Sequence, residues 1–454
     1  MPRQPHQPQT PEQAPSGQAP RGQGSRAPRH VTLRAAGAVT VLAAAAVALG
    51  AFSWFTHEQT DLAQHTEFAR PIQTGPPPVS VTSLSAEECG RCHAAIYAEW
   101  RTTMHARAWT DPLVQSYWKK EGELWVCRTC HTPLEAQQPV TVLAVEDGHI
   151  DRPVTEPNEH YDPALVDEGV TCASCHVRGG TIFGPNRTPA PGAPHPTAYD
   201  PNLLSPEACY RCHQVPDGAM PFFAGGPCAD DFQFRNGPYA RNGYTCQSCH
   251  MPTVDRAVAS GSPVRSTRSH IWRGGHAPEM LRKALTVRLA PDVPLWGDGQ
   301  RLVFTARLTN SGAGHPIPIG DPNRHFTVHW ELINDKGRVV RHRTDKVIRR
   351  ILWKPVTVEV KDGRIAPLSF RDFEYKVRSR RGWRLRVTVN YHILTAHQKK
   401  GLVKRHGLPP ATPDHIDLYR QEVDLSPGAL VPSEMMPVPS PVATLGAGRL
   451  AAAE

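Results

Sequence analysis

The chain has 454 residues, of which 39% are hydrophobic and only 7% aromatic, with 46 Pro, 35 Gly, 11 Cys and 23 His. Proline and glycine are more frequent than in an average globular protein but fall short of the range typical of disordered chains, which excludes a collagen-like or wholly disordered protein. The length is enough for about two to four domains. Because aromatic side chains are scarce, we expect something other than side chains to fill part of the interior.

The formal net charge is +9, which raises the hypothesis of nucleic-acid binding. The charge is regional, however. Residues 35–280 carry 17 Lys and Arg against 25 Asp and Glu, whereas residues 281–430 carry 28 against 14. The positive charge therefore belongs to the C-terminal third and not to the part that holds the cysteines, and we expect no nucleic-acid partner.

The first 34 residues are rich in Pro, Gln, Gly and Arg and are predicted to be a disordered cytoplasmic tail. Residues 35–55, AAGAVTVLAAAAVALGAFSWF, follow without a charge, and at about 1.5 Å per residue a helix of this length spans the hydrocarbon core of a bilayer. Five arginines precede this segment. They predict a single-pass transmembrane anchor in the cytoplasmic (inner) membrane, with the rest of the chain in the periplasm.

A cleaved signal peptide is the alternative for this segment, because Ala46-Val47-Ala48 fits a small-x-small cleavage site. In that case the protein is secreted to the periplasm. A buried soluble helix is a third interpretation, which the arginine-rich flank and the lack of an amphipathic pattern disfavour. Residues 56–80 are predicted to be a linker.

Ten of the 11 cysteines occur in five copies of one motif, C-x-x-C-H. The copies are Cys89-Gly-Arg-Cys92-His93, Cys127-Arg-Thr-Cys130-His131, Cys172-Ala-Ser-Cys175-His176, Cys209-Tyr-Arg-Cys212-His213 and Cys246-Gln-Ser-Cys249-His250. In c-type haem attachment the two thiols form thioethers with the porphyrin vinyl groups, and the histidine is the proximal ligand of the iron. Zinc sites, thioredoxin-like motifs and disulfide frameworks do not explain a histidine after every second cysteine. We therefore predict five covalently attached haem c groups.

The five motifs lie within residues 89–250, too close together for each haem to have its own protein pocket. We expect the haems to pack against one another at distances that allow rapid electron transfer, and to replace the missing apolar interior. Cys228 is left over, and is interpreted as a buried or idle thiol rather than an iron ligand.

Each iron has a sixth position, for which other histidines are candidate distal ligands. The candidates are His105, His160, His195, His270, His276 and His315. His105 lies in a stretch with helical spacing that continues from the first motif. It is 12 residues beyond His93, about 18 Å along a helix, so we expect it to serve a neighbouring haem.

The segment LSAEECGRCHAAIYAEWRTTMHARAW, together with GVTCASCH and CQSCHMP, resembles the multihaem cytochromes c of the c-552/c-554-like family. The resemblance covers about residues 80–280. It implies a mainly helical, loop-rich fold with parallel-stacked and perpendicular haem pairs, and it implies that His105 matches a distal-ligand position. The chain differs from the tetrahaem member of that family by a fifth motif and a C-terminal extension.

From residue 281 onwards, apolar and polar residues alternate. This alternation predicts half-buried strands in RLVFTARLTN, FTVHWELIND and WRLRVTVNYHIL. Asp335-Lys336-Gly337 predicts a hairpin turn. The expected fold class is thus α+β and multidomain. It comprises an N-terminal transmembrane helix, a mainly helical, loop-rich pentahaem cytochrome c domain over 81–280, an antiparallel β-sandwich-like domain over 281–430 and a disordered tail over 431–454.

Two features of the C-terminal third have more than one interpretation. The stretch TNSGAGHPIPIGDPNRH resembles a segment in the C-terminal modules of related multihaem proteins, so His315 is either a haem ligand or a loop histidine. The groups KVIRRILWK, VRSRRGWRLRV and HQKKGLVKRHG form either a docking face for a redox partner or an anionic membrane, or solvated sheet edges.

Three functions are compatible with these features. The first is electron transfer by a membrane-tethered periplasmic cytochrome between a redox-protein donor and acceptor. The second is a haem enzyme in which one open iron reduces or oxidises a small nitrogen or sulfur compound. The third is a quinol dehydrogenase, which the distance in sequence between Phe55 and Cys89 disfavours. We expect the first, with no catalytic residue.

Overall fold

The computed structural model describes residues 59–61, 70–147, 149–187, 192–214, 234–352, 358–429 and 435–437. The predicted N-terminal tail, the predicted anchor over 35–55, most of the linker, Cys228 and nearly all of the C-terminal tail lie outside these residues.

The described helices are short, with ten residues at most. They are α1 (Ala86–Gly90), α2 (Ala94–Trp100), α3 (Pro112–Lys120), α4 (Arg128–His131), α5 (Cys172–His176), α6 (Glu207–His213), α7 (Pro238–Arg241), α8 (Cys246–His250), α9 (Pro278–Ala284) and α10 (Ala396–Arg405). Single turns of 3₁₀ helix occur at Trp125–Cys127, Glu135–Gln137, Pro163–Glu168 and Pro201–Leu204.

Three small sheets accompany the cysteine motifs. They contain β1 (Gln59–Asp61), β2 (Val140–Glu146) and β3 (Pro153–Pro157); β4 (Val177–Arg178), β5 (Thr181–Gly184) and β6 (Thr197–Tyr199); and the hairpin of β7 (Thr253–Ala257) and β8 (Val264–Arg268). All neighbouring strands in them are antiparallel except β5 and β6, which are parallel.

The remaining strands follow residue 284. They are β9 (Leu285–Pro291), β10 (Arg301–Asn310), β11 (His325–Ile333), β12 (Val339–Val347), β13 (Arg350–Leu352), β14 (Val358–Lys361), β15 (Phe370–Arg378), β16 (Arg384–His392), β17 (His415–Asp424) and β18 (Met436–Pro437). They form a three-stranded sheet of order β15-β10-β9, a five-stranded sheet of order β12-β11-β16-β17-β18 and the pair β13-β14, all antiparallel.

The two larger sheets share one hydrophobic core, because most of their strands have one apolar face. Along β10, every second residue from Leu302 to Leu308 is fully buried, whereas the residues between them are not. Trp330 of β11 and Val387 of β16, from the other sheet, belong to the same cluster. Burial of this alternating face is the main force that stabilises the two sheets against each other. We call residues 285–437 the β region.

The hairpin predicted at Asp335-Lys336-Gly337 is present between β11 and β12. The amide of Gly337 donates to the carbonyl of Asn334, and Gly337 has φ +73°. Because this left-handed conformation is strained for residues with a Cβ, glycine fits the turn.

The prediction of a mainly helical fold is wrong. Of the described residues, 24% are helical and 32% lie in strands. The helices of the second to fifth motifs end at their histidines, and after the third and fifth motifs the chain enters the extended segments β4 and β7. These segments are rich in Val and Thr, which favour strands, so each helix remains one or two turns long.

The predictions of a transmembrane helix and of a single-pass location in the cytoplasmic membrane are also corrected. No helix in the described part of the chain is sufficiently long and apolar to cross a bilayer. The longest, α10, has 10 residues, whereas a span needs about 20. Residues 35–55 lie outside the described ranges, so the structure gives the anchor no support and we do not retain it.

The part of the chain that holds the cysteine motifs, residues 70–284, packs directly against the β region. Leu113 and Tyr117 of α3 contact the hydrophobic cluster of the β region, and α3 contacts α10. Polar contacts add to this, since Nε of Arg282 donates to the carbonyl of Leu418 at 3.4 Å. We call residues 70–284 the motif region.

Candidate functional site

All five cysteine motifs line a single cavity. Its volume is about 2820 Å³, several times the roughly 300–1,000 Å³ of an ordinary ligand pocket. The lining includes the ten motif cysteines, the five motif histidines, and His105, His195, His270, His276 and His315. Candidate His160 is exposed and does not belong to this lining. The cavity therefore has the size needed for several large prosthetic groups.

The helical turn of each motif explains how its three functional side chains come together. In α5 and α8 the helix begins at the first cysteine and ends at the histidine. Residues i, i+3 and i+4 of a helix lie on the same face. Both thiols and the imidazole therefore point into the same space, as covalent attachment of haem c requires.

Backbone carbonyls orient the motif imidazoles. The Nδ1–H groups of four motif histidines donate to carbonyl oxygens at 2.6–2.7 Å. The donor–acceptor pairs are His93–Val258, His131–Ala108, His176–Phe183 and His250–Arg273. With Nδ1 protonated, Nε2 keeps its lone pair for a metal, which is the second-shell arrangement typical of ligating histidines.

Three motif histidines face a second imidazole. The ring centroids are 6.5 Å apart for His93 and His195, 6.4 Å apart for His213 and His105, and 6.3 Å apart for His176 and His270. An imidazole nitrogen binds a first-row metal at about 2.0–2.1 Å, so two imidazoles on opposite sides of one metal have centroids about 6 Å apart. The three pairs thus have the spacing of two axial ligands on one iron.

Burial keeps two of the facing imidazoles, those of His105 and His270, neutral, as metal binding requires. It lowers the pKa of His105 to about 3, with a further contribution from His213. Burial together with His176 lowers the pKa of His270 to about 4. Both side chains are therefore uncharged at neutral pH, and their nitrogen lone pairs are available for coordination.

The other three candidates do not face a motif histidine in this way. The Nε2 of His276 accepts from Nη2 of Arg324 at 3.2 Å, and Nη1 of Arg324 donates to the hydroxyl of Tyr391 at 3.1 Å. The Nδ1–H of His315 donates to the carbonyl of Pro316 at 3.1 Å. No imidazole of the described residues is placed against His131 at the spacing of the three pairs.

Thiols of different motifs approach one another. The thiol of Cys89 lies beside that of Cys172, the thiol of Cys130 beside that of Cys212, and the thiol of Cys209 beside that of Cys246. The helices agree with this order, since α1 contacts α5 and α4 contacts α6. The first motif is thus beside the third, the second beside the fourth, and the fourth beside the fifth.

Sequence reasoning missed several residues that shape this site. The carbonyl acceptors have no sequence signature, because any residue has a carbonyl. Arg324 and Tyr391 come from the β region, far in sequence from the motifs. Trp272 lies between His270 and His276 in HIWRGGH, and an aromatic residue between two candidate ligands is a signal that could have identified it.

Comparison with known proteins adds a likeness in fold. No protein-family model matches the chain, and no curated protein sequence matches it. Its structure is similar to that of a penta-heme cytochrome c552 from Thermochromatium tepidum, with a TM-score of 0.56 and 19% sequence identity over 76% of this chain and 99% of that chain. At this identity the likeness concerns the fold. The residues of the cavity fit covalently bound haem c, and the chain has the fold of a multihaem cytochrome c.

Proposed function

We propose that this protein binds five haem c groups covalently and transfers single electrons through them between a redox-protein donor and a redox-protein acceptor. The observation that carries this proposal is the set of three imidazole pairs at 6.3–6.5 Å, each containing one motif histidine. If the two imidazoles of a pair held one iron, they would close it to exogenous ligands and favour a low reduction potential, and both properties would suit electron transfer rather than catalysis.

The residues have distinct roles in this function. The motif cysteines attach the porphyrins, and the motif histidines are the proximal ligands. His195 is the proposed distal ligand of the first site, His270 of the third and His105 of the fourth. When bound, haem supplies the one-electron couple between ferrous and ferric iron. His276 and His315, which line the cavity, remain candidates for the second and fifth sites, whereas the exposed His160 does not.

The protein brings the sites close enough to exchange electrons. The first and third motifs, the second and fourth, and the fourth and fifth are joined by contacts between their cysteines. Since these cysteines would attach the porphyrins, porphyrins held by the paired motifs would be neighbours. The chain itself excludes solvent from the imidazoles and fixes their orientation through the carbonyl contacts, which lowers the reorganisation that accompanies each transfer.

The proposed partners dock on the β region. Residues 281–430 carry 28 Lys and Arg against 14 Asp and Glu, so this part attracts an acidic surface. Several arginines there already pair with carboxylates, as in Arg307–Asp372, Arg384–Glu422 and Arg386–Glu422. We expect the rate of electron transfer from an acidic donor to fall as ionic strength rises.

The test of the main proposal is a haem count combined with electron paramagnetic resonance of the oxidised holoprotein. We expect five haems per chain and low-spin signals from the three bis-imidazole sites. Replacing His105, His195 or His270 with alanine should convert one low-spin haem to high spin, while His160→Ala, a matched change outside the cavity, should leave the three bis-imidazole signals unchanged. Fewer than five haems per chain would contradict the count, and low-spin spectra in all three variants would contradict the pairing.

A second candidate function rests on His131, which lacks a facing imidazole at the spacing of the other pairs among the described residues. An iron open on one side at the second site would bind and reduce or oxidise a small nitrogen or sulfur compound. This candidate predicts a high-spin signal in the wild-type protein that changes when nitrite, hydroxylamine or cyanide is added. Low-spin signals from all haems, unchanged by these ligands, would exclude it.

A further inference from the structure

Trp272 contacts two candidate distal ligands at once. Its ring is 4.9 Å from that of His105 at an interplanar angle of 65°, and 5.0 Å from that of His270 at 84°. These are edge-to-face contacts, the arrangement that aromatic rings prefer. Because His105 faces His213 and His270 faces His176, the single indole touches ligands of the fourth and the third site.

The backbone of Trp272 is held in an unfavourable conformation. Its φ is +33°, outside the regions that a residue with a bulky side chain normally adopts. Such a conformation is unfavourable and persists only where the surroundings determine it. In this conformation the indole lies in the lining of the cavity and contacts both imidazoles.

The residues around Trp272 are fixed by contacts to further ligands. The Nδ1–H of His270 donates to the carbonyl of Arg268 at 3.0 Å, and the Nδ1–H of His250 donates to the carbonyl of Arg273 at 2.7 Å. The amide of His270 donates to Oε2 of Glu99 at 2.7 Å. The segment 268–273, which includes Trp272, therefore contacts imidazoles of the third, fourth and fifth sites.

We propose that Trp272 is a positioning residue that sets the ring planes of His105 and His270 and joins the third and fourth sites into one packed path for electron exchange. The inference rests on the proposed function, since it concerns residues that ligate haem. An edge-to-face contact restricts rotation of an imidazole about its axis, and the plane of an axial imidazole determines the energies of the iron orbitals. Packed atoms between two sites also transmit electrons better than an open gap.

The test compares the holoproteins of Trp272→Leu and Trp272→Phe with wild type. Trp383→Phe is the matched control, because Trp383 is half-buried in the β region and is not part of the cavity lining. Electron paramagnetic resonance reports the imidazole planes, and redox titration reports the potentials. In Trp272→Leu we expect altered g-values for two low-spin haems. We also expect the reduction potentials of these two haems to change by up to about 59 mV, which corresponds to a tenfold change in the equilibrium constant for reduction.

Transfer between the two sites is the third measurement. After rapid photoreduction of the protein, we expect the redistribution of electrons in Trp272→Leu to be slower by about tenfold, an effect of the size that one aromatic contact can produce. Trp272→Phe keeps a smaller ring and should give intermediate g-values and rates. Trp383→Phe should match wild type in each measurement.

The outcomes separate this inference from the proposed function. Haem is counted first in wild type, and its absence there refutes the proposed function. Wild-type g-values, potentials and rates in a fully loaded Trp272→Leu protein overturn the role of Trp272. Should Trp272→Leu fail to fold, Trp272→Phe decides: changes confined to two low-spin haems support the inference, and unchanged spectra and rates overturn it.

Discussion

The motif region and the β region build their interiors in different ways. The β region contains nearly all of a cluster of 32 buried hydrophobic residues, with both large sheets contributing. A cluster of the motif region contains six, among them Leu134 and Leu165. In the space where a core would be, the motif region has the cavity of about 2820 Å³. One part of the chain thus carries its own core, whereas the other depends on groups that it must acquire.

The largest expected effect follows from that dependence. When the full chain is produced without covalent haem attachment, we expect the motif region to lose its folded structure, because too little apolar surface remains to offset chain entropy. The β region should stay folded. Limited proteolysis followed by mass spectrometry should then leave a resistant fragment that begins near Leu285. The same fragment should not accumulate from the holoprotein. If residues 70–280 resist proteolysis in the absence of haem, the motif region does not need haem to fold, and the contrast with the β region is wrong.

The next effect concerns the core of the β region. Trp330 is fully buried, stacks on Tyr375 at 5.2 Å and donates from Nε1 to Oδ2 of Asp345 at 2.9 Å. Trp330→Ala should lower the free energy of unfolding of the β region by about 3–5 kcal/mol, as other large-to-small core changes do. Denaturation followed by circular dichroism measures this. The haem absorption in native buffer should not change, and a large change there would show that the two interiors are coupled.

A smaller effect is expected at Glu99 in the motif region. Its Oε1 pairs with Nη1 of Arg256 at 2.9 Å, and its Oε2 accepts from the amide of His270 at 2.7 Å. Glu99→Gln should cost about 1–3 kcal/mol, because the hydrogen bonds to a charged group become neutral ones. Chemical denaturation followed at the haem absorption band measures the loss. Glu279→Gln is the control, since the side chain of Glu279 is 58% exposed in its contact with Arg273. If both variants lose the same free energy of unfolding, partial burial does not explain the contribution of Glu99.

The smallest effect is expected at an exposed ion pair of the β region. Glu422 accepts from Arg384 at 3.0 Å and from Arg386 at 2.7 Å, with all three side chains about one-third to one-half exposed. Glu422→Gln should change the free energy of unfolding by less than about 1 kcal/mol, because solvent screens such pairs. Denaturation at low and high salt tests this. A loss comparable with that of Trp330→Ala would mean that charges, and not apolar burial, stabilise the β region.

The sequence pattern predicted the strands of the β region and the geometry of the cysteine motifs, because both depend on residues close together in the chain. The alternating segments around Phe304, Trp330 and Val387 coincide with β10, β11 and β16, because one apolar face per strand is read directly from spacing. The motifs likewise specify their own geometry, since i, i+3 and i+4 share a face of one helical turn.

The end of α2 and the pairing of histidines across the cavity could not be predicted from residue spacing, because both depend on contacts with other parts of the chain. The stretch around His105 looked helical, yet α2 ends at Trp100, and the hydroxyls of Thr102 and Thr103 donate back to carbonyls of the preceding turn. The imidazoles of His105 and His213 face each other although the two residues are more than one hundred positions apart in the sequence. Neither residue type nor spacing specifies such a pair, because several histidines compete for each position.

The hydrogen bond from His93 to the carbonyl of Val258 joins residues 165 positions apart. Beside it, the amide of Ser260 donates to the carbonyl of Cys92. The first motif to leave the ribosome is therefore completed by the hairpin of β7 and β8, which is among the last parts of the motif region to be synthesised. Contacts of such long sequence separation form late and slowly. A nascent chain that ends before residue 253 has all five motifs, but the carbonyl that orients its first imidazole has not yet been synthesised.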